Sequence, residues 1–220
     1  METQTLTDSK TTSGLTQTER RKQSERALVE AAISVVAESG VGALTFEVIG
    51  EKSGYSRGLV TQRFGSKRGL IDAMIDQLHA QMQSLFVARG IDKLPGLDAI
   101  LTWTDLYLRE VFENERLRTY FKLLAAAVAD STDLRSAFAL EHDRVKELLA
   151  DLIKKGQTEG NVRGDMDADA AATLIGSLQL GISTQLLVDH GTAFEPLLAM
   201  SLDSLRRTFA PAARKPTSER

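Results

Sequence analysis

Residues 45–67 (TFEVIGEKSGYSRGLVTQRFGSK) constrain the fold more than any other stretch of the chain. Thr45 can cap a short helix, because its hydroxyl can accept a backbone N–H of the first turn. Gly54 ends that helix, since glycine adopts the left-handed conformation of a sharp reversal without a Cβ penalty. Ser56 can then cap a second short helix over residues 57–64. The sequence therefore predicts a helix, a tight turn and a second helix within residues 45–64.

The second helix has two different faces. Val60 and Phe64 share one face, which we expect to pack on Val48 and Ile49 of the first helix. The other face carries polar or small residues: Arg57, Gly58, Thr61, Gln62 and Arg63. Such a face fits the major groove, where arginine pairs with guanine and glutamine with adenine. The alternative is a solvated helical hairpin in an ordinary bundle.

A third helix begins directly after the motif. Ser66 can cap it, and Lys67 lies beside the exposed N–H groups of its first turn, an arrangement that binds phosphate. The stretch over residues 44–70 resembles the DNA-binding domain of the TetR family of transcriptional regulators. The matching residues are Thr45, Ile49, Gly54, Ser56, Arg57, Gly58, Phe64, Ser66, Lys67 and Leu70. The resemblance implies a homodimer formed by C-terminal helices, a double-stranded DNA operator and a small-molecule effector.

Charge is distributed unevenly along the chain. The formal net charge is −3, but residues 17–70 hold nine Lys or Arg against six Asp or Glu. Residues 71–220 hold seventeen against twenty-two. This division is expected of a basic DNA-binding head on a body that does not bind DNA.

Composition indicates a soluble globular protein, with 42% hydrophobic and 26% charged residues. The chain has no cysteine, which excludes disulfides and thiolate zinc sites and is compatible with a reducing cytoplasm. The polar N-terminus is unlike a signal peptide, and no apolar run is expected to reach the roughly 20 residues that span a bilayer. We therefore expect a cytoplasmic protein with no membrane partner.

Apolar periodicity predicts helices throughout, and hence an all-α fold. Residues 1–16 lack such a period and are predicted to be a disordered tail, or alternatively an arm that carries nearby basic residues to DNA. We predict a TetR-type DNA-binding domain over residues 17–88 with a three-helix helix-turn-helix head, and the helix that begins at Lys67 can act as a lever between this head and the body. Turn residues precede a helical bundle over residues 97–210, in which one helix should end near Lys155 before a turn-rich stretch from Gly156. Residues 211–220 form a C-terminal tail.

The last two predicted helices bear on assembly. Residues 168–188 are apolar almost all round, and the helix that follows Pro196 carries a second apolar stripe. Two such helices from each of two chains could form a four-helix interface. The alternative is that both lie in the interior of the body.

The body also offers candidate ligand contacts. We predict a mainly apolar cavity with a few polar groups, lined by Trp103, Tyr107, Tyr120, Phe121, Phe138 and Gln179. Aromatic residues at helical spacing also occur in plain cores, so the identity of the ligand is not encoded in this pattern beyond an apolar character.

No catalytic or metal site is predicted. His79, His142 and His190 lie far apart in the sequence, and no pair of them has the spacing of metal ligands on a helix. No nucleophilic triad, phosphate-binding loop or paired carboxylate motif is evident, and no cofactor is expected.

These observations favour a homodimeric, ligand-responsive transcriptional repressor. Each subunit would insert residues 57–63 into the major groove, with Arg57, Thr61, Gln62 and Arg63 at base edges, Gly58 allowing close approach, and Thr45 and Lys67 at phosphates. The two half-sites of the pseudo-palindromic operator would lie about 34–36 Å apart. Two alternatives remain: a helical small-molecule binding protein or enzyme with a merely structural motif, and an activator of the same fold.

Overall fold

The fold was analysed in a computed structural model that describes residues 16–129, 134–189 and 191–211. Most of both predicted tails, residues 130–133 and His190 lie outside the described residues. Within the described ranges the chain forms nine α-helices and two short 3-10 turns. The all-α class predicted from the periodicity is confirmed.

The helices follow one another through short connections. Their bounds are α1 Gln17–Ser39, α2 Phe46–Ser53, α3 Arg57–Phe64, α4 Lys67–Ala88, α5 Gly96–Glu113, α6 Glu115–Ala129, α7 Leu134–Glu159, α8 Ala168–Val188 and α9 Phe194–Phe209.

Helix α1 begins one residue after Thr16, which the sequence assigned to the tail. The Thr16 hydroxyl accepts the Glu19 N–H, and the Glu19 carboxylate accepts the Thr16 N–H, so the two residues form a capping box. Arg20, Arg21 and Lys22, the basic residues that the alternative arm would bring to DNA, lie on the exposed first turns of α1.

The helix-turn-helix is formed as predicted. Thr45 caps α2, Gly54 follows it in the left-handed conformation, and Ser56 caps α3. Ile49 and Val60 are fully buried and hold α2 and α3 together. Val48, which was expected to join them, is 37% exposed. The reason is rotational: adjacent residues on a helix point about 100° apart, so only one of the pair faces the core.

Helix α4 joins the helix-turn-helix to the rest of the fold. It packs against α1, α3, α6 and α7. Behind it, α5 packs against α7, α8 and α9, and α7 packs along α8. One continuous apolar core runs from Leu28 in α1 to Phe209 in α9. The division into a head and a body at residues 90–95 therefore stays a prediction.

Helix α7 is longer than predicted. It continues through Gly156 to Glu159, although the sequence placed a turn from Gly156 onward. Gly156 is buried against Gly96, where an added Cβ on Gly96 would lie 2.3 Å from the Gly156 Cα. This glycine thus serves the close approach of two helices and does not end one.

Helix α8 is long and apolar enough, by length and composition alone, to cross a membrane, which corrects the expectation that no such stretch exists. It is the one helix of this kind in the part of the chain that the structure describes. One side of α8 is buried against α5 and α7 in the core, as in many globular proteins.

Candidate nucleic-acid interface and cavity

The outer face of α3 is exposed and polar. Arg57, Gly58, Thr61 and Gln62 are all exposed, whereas Val60 on the opposite side is fully buried. The Thr61 hydroxyl donates to the Arg57 carbonyl at 3.1 Å, which leaves its own oxygen as an acceptor. Burial of Val60 therefore fixes which way the four outer residues point.

Arg57 has an acidic neighbour on α2. Its Nη1 lies 2.5 Å from the Glu47 Oε1, and both side chains are more than half exposed. An ion pair in water contributes little to stability. The guanidinium can consequently exchange Glu47 for another acceptor, such as a phosphate or a guanine edge, at small cost.

Arg63 differs from the other predicted contacts of α3. It is half-buried, and its Nη2 donates to the Ser24 hydroxyl of α1 at 3.3 Å. Its Nε is buried and has no partner among the described residues. The sequence placed Arg63 on the outer face, but it follows Val60 by three residues and thus lies towards the packed side. The structure gives it a contact that holds α3 against α1.

Thr45 and Lys67, which precede and follow the two helices of the motif in the sequence, are both exposed. The Thr45 hydroxyl accepts the Val48 N–H at 3.3 Å, and the Lys67 Nζ donates to the Val41 carbonyl at 3.3 Å. Lys67 is the first residue of α4, whose unpaired N–H groups and helix dipole favour an anion at that point. Together with α3 these residues form an exposed surface suited to a polyanion.

A cavity of about 470 Å³ lies between α4, α5, α6, α7 and α8. Five of the six predicted residues line it: Trp103, Tyr107, Tyr120, Phe121 and Gln179. Phe138 is not part of the lining, because it is buried with its ring edge-on to Tyr120 at 5.2 Å. The volume is that of a small-molecule site.

Gln179 is satisfied within the fold. Its side-chain amide is buried and donates to the Thr104 hydroxyl at 3.1 Å. This hydrogen bond joins α8 to α5 inside the fold.

Several charged groups in this lining were not predicted from the sequence, and one of them is deeply buried. Glu141 of α7 is only 5% exposed, and its Oε1 contacts the His79 Nδ1 of α4. Its Oε2 accepts from the Arg144 Nη1 at 3.3 Å. Glu141 lies at a core-facing position of the apolar stripe of α7, between Phe138 and Val145. A charged residue within this apolar stripe is the sequence feature from which the buried charge could have been predicted.

Metal ligation is not supported by the described residues, which contain no group of three His, Asp or Glu side chains arranged to hold an ion. His190 lies outside the described ranges.

Comparisons with known proteins cover most of the chain. The family described as "Bacterial regulatory proteins, tetR family" matches residues 28–74. A second family description, "BetI-type transcriptional repressor, C-terminal", matches residues 98–210. The two matches coincide with the helix-turn-helix region and with the helices that surround the cavity.

Individual relatives agree with the family matches. TtgR, an HTH-type transcriptional regulator of Pseudomonas putida, is 27% identical over 212 residues, which cover 90% of this chain and 97% of TtgR. Two solved structures share the fold. NalD, the secondary repressor of the MexAB-OprM multidrug efflux pump in Pseudomonas aeruginosa, has a TM-score of 0.68 at 20% identity and covers 87% of this chain and 98% of its own. SmeT, the repressor of the Stenotrophomonas maltophilia multidrug efflux pump SmeDEF, has a TM-score of 0.69 at 19% identity and covers 89% and 94%.

Proposed function

The chain belongs to the tetR family of bacterial regulatory proteins, and we propose that within this family of transcriptional regulators it is a ligand-released repressor that binds its operator as a homodimer. The family assigns a regulator and not an enzyme. Repression is favoured by the C-terminal match, which is described as that of a transcriptional repressor. A DNA-binding role implies that the protein works in the cytoplasm.

One observation carries the DNA-binding assignment: α3 is held by a fully buried Val60 and presents Arg57, Gly58, Thr61 and Gln62 to solvent. We propose that these residues enter the major groove, with Gln62 and Arg57 at base edges. Arg63 would then mainly hold α3 in place through its hydrogen bond to Ser24, and contact with DNA would be its lesser role.

Phosphate contacts are assigned to Thr45, the N-cap of α2, and Lys67, the first residue of α4, which are both exposed. These contacts would fix the orientation of α3 and carry no sequence information of their own. With two subunits, the half-sites would lie about 34–36 Å apart, one turn of B-form DNA.

Selection of genomic fragments with the purified protein, followed by footprinting, tests this proposal. We expect a pseudo-palindromic footprint that overlaps a promoter, whereas a footprint upstream of the promoter would indicate an activator. Operator affinity is then measured over a range of salt concentrations for the wild type, Gln62→Ala and Lys67→Ala. Lys154→Ala, an exposed lysine of α7, is the control.

The two substitutions should behave differently. Lys67→Ala should weaken binding to all sequences and make the salt slope shallower by about 0.9 unit for each phosphate that is no longer neutralised. Gln62→Ala should cost about 1–3 kcal/mol at one position of each half-site and leave the slope unchanged. Equal effects of the two on operator and random DNA would refute the assignment of roles.

Dimerisation is assigned to the outer side of α8. Leu174 is 55% exposed and Val188 is more exposed still, and Gly181 lies on the same side with no neighbour within 4 Å of its added Cβ. This stripe of apolar and small residues favours close packing against a second copy.

A matched pair of substitutions tests the dimer. Leu174→Asp and Leu140→Asp alter leucines that are both 55% exposed, but Leu140 lies on α7. Sedimentation should show that only Leu174→Asp dissociates the dimer. If both substitutions or neither of them dissociated the dimer, the assignment of the interface to this side of α8 would be wrong.

A further inference from the structure

The cavity contains one deeply buried charge. Glu141 is 5% exposed and lines the cavity together with Tyr107 and Tyr120. Isolated carboxylates are very costly to bury, so Glu141 depends on the partners that it has, His79 of α4 and Arg144 of its own helix. A ligand that enters the cavity therefore meets an acceptor whose charge already requires compensation.

A ligand can replace both partners of Glu141 without leaving either of them as an unpaired charge. The Arg144 Nη1 lies 3.2 Å from the Asp76 Oδ1 as well as 3.3 Å from the Glu141 Oε2, so Arg144 keeps a carboxylate partner if Glu141 is taken over. A histidine side chain can also exist as a neutral imidazole, which needs no counter-ion. A positively charged ligand can consequently displace both side chains from Glu141.

The aromatic lining suits the same kind of ligand. Burial raises the pKa of the Tyr107 and Tyr120 phenols, and the Glu141 charge raises both further, so the two phenols remain neutral near pH 7. Neutral tyrosine rings attract a cation over their faces. Trp103, whose ring centroid is 6.0 Å from that of Tyr107, extends this aromatic lining.

We propose that Glu141 is the recognition group of this cavity and that the effector is an amphipathic cation, a protonated or quaternary amine on an apolar body. The proposal rests on the proposed function, since it names the ligand class of the effector site. Arg144 and Lys146 also line the cavity, so an anionic ligand is the opposing outcome.

The same binding step has a mechanical consequence. The contacts of His79 and Arg144 with Glu141 lie where α4 meets α7, and α4 begins at Lys67 directly after α3. A cation that occupies Glu141 breaks the His79 contact between α4 and α7, whereas the Arg144–Asp76 ion pair between the same two helices can remain. Ligand recognition thus changes one of the contacts that position α4, the helix that directly follows α3.

Calorimetry with three probes of the same body tests the charge preference: 4-phenylbutylamine, 4-phenylbutanol and 4-phenylbutyrate, each titrated into the full chain without DNA near neutral pH. The wild type should bind the amine about tenfold or more tightly than the alcohol, since bonds to charged groups are the stronger ones. Glu141→Gln, which keeps the size but replaces the charged carboxylate by a neutral amide, should bind the amine no better than the alcohol. Glu147→Gln, an exposed glutamate of the same helix, should behave like the wild type.

The proposal is overturned if the amine and the alcohol bind equally, if the carboxylate binds best, if no probe binds, or if the preference survives in Glu141→Gln. The melting temperature and operator affinity of Glu141→Gln show that the variant is folded. A wild type that binds its operator but lacks the preference refutes the ligand class alone. Absence of operator binding refutes the proposed function whatever the calorimetry shows.

Discussion

Gly58 separates the requirements of the fold from those of DNA binding. It is the second residue of α3, it is exposed, and an added Cβ would meet only the Ser56 Oγ, at the ordinary contact distance of 3.7 Å. The fold therefore has room for alanine at this position. We predict that Gly58→Ala raises stability and lowers operator affinity.

The stability gain follows from helix propensity. Alanine is favoured over glycine in a helix by roughly 0.5–1 kcal/mol, and Gly58 lies in the first turn, where the lower figure applies. For a chain of this size we expect the melting temperature to rise by about 1–2 °C.

The decrease in operator affinity follows because the added methyl group takes up space between α3 and the DNA. A methyl group forced into a packed contact typically costs about 1–3 kcal/mol, which is roughly a 5- to 150-fold weaker affinity for each subunit that docks. No charge is removed, so the slope of log affinity against log salt should not change. This unchanged slope distinguishes a steric effect from the removal of a phosphate contact.

Fluorescence anisotropy with the selected operator, together with thermal unfolding, measures both effects. Gly164→Ala is the control, because Gly164 is exposed in the loop before α8 and has no atom within 4 Å of its added Cβ. If Gly58→Ala binds the operator as tightly as the wild type, α3 does not approach DNA at Gly58. If it is instead less stable, the space inferred around this residue is wrong.

Three further predictions concern contacts within the fold. Gln179→Met should lower the free energy of unfolding by about 1–3 kcal/mol because it leaves the buried Thr104 hydroxyl without its partner, and adding Thr104→Val should recover much of the loss in urea titrations. Arg116→Ala and Glu30→Ala should show a coupling energy above about 1 kcal/mol in a double-mutant cycle, because the Arg116 guanidinium contacts both carboxylate oxygens of Glu30 in a half-buried site. Additive effects of the two substitutions on the free energy of unfolding would contradict this. Hydrogen bonds from the Gly96 N–H and from Asn161 lower the pKa of Glu159, so the stability that this carboxylate contributes should be lost as the pH falls below about 4.5. Glu159→Gln should flatten that part of the plot of unfolding free energy against pH.

Local chemistry sufficed to predict the helix-turn-helix. Thr45, Gly54 and Ser56 act through their own backbone neighbours, so their capping and turn roles can be derived from spacing alone. The bounds of α3 and α8 agree with the prediction for the same reason, because caps and apolar periods are properties of contiguous residues.

Contacts between distant residues could not be predicted in this way. Gly156 continues a helix because Gly96, sixty residues earlier, packs on it, and glycine alone does not distinguish a helix end from a close approach. Arg63 turns towards Ser24, and His79 meets Glu141 across two helices. Each outcome depends on how helices are placed against one another, which periodicity does not specify.

Helix α4 is not the only connection between the DNA-binding helices and the cavity. The Arg116 Nη2 of α6 donates to Glu30 of α1 at 2.8 Å, and the Lys122 Nζ donates to the Ala37 carbonyl. Between these two residues, Tyr120 of the same helix lines the cavity. A ligand that displaces α6 must therefore also move α1 or break these hydrogen bonds. A ligand shifts an equilibrium only by its differential affinity for the two states, and a shift from 1:99 to 99:1 requires a difference of about 10⁴-fold. Contacts that make α1 move with α6 therefore increase the share of the ligand's binding free energy that changes the position of the DNA-binding helices.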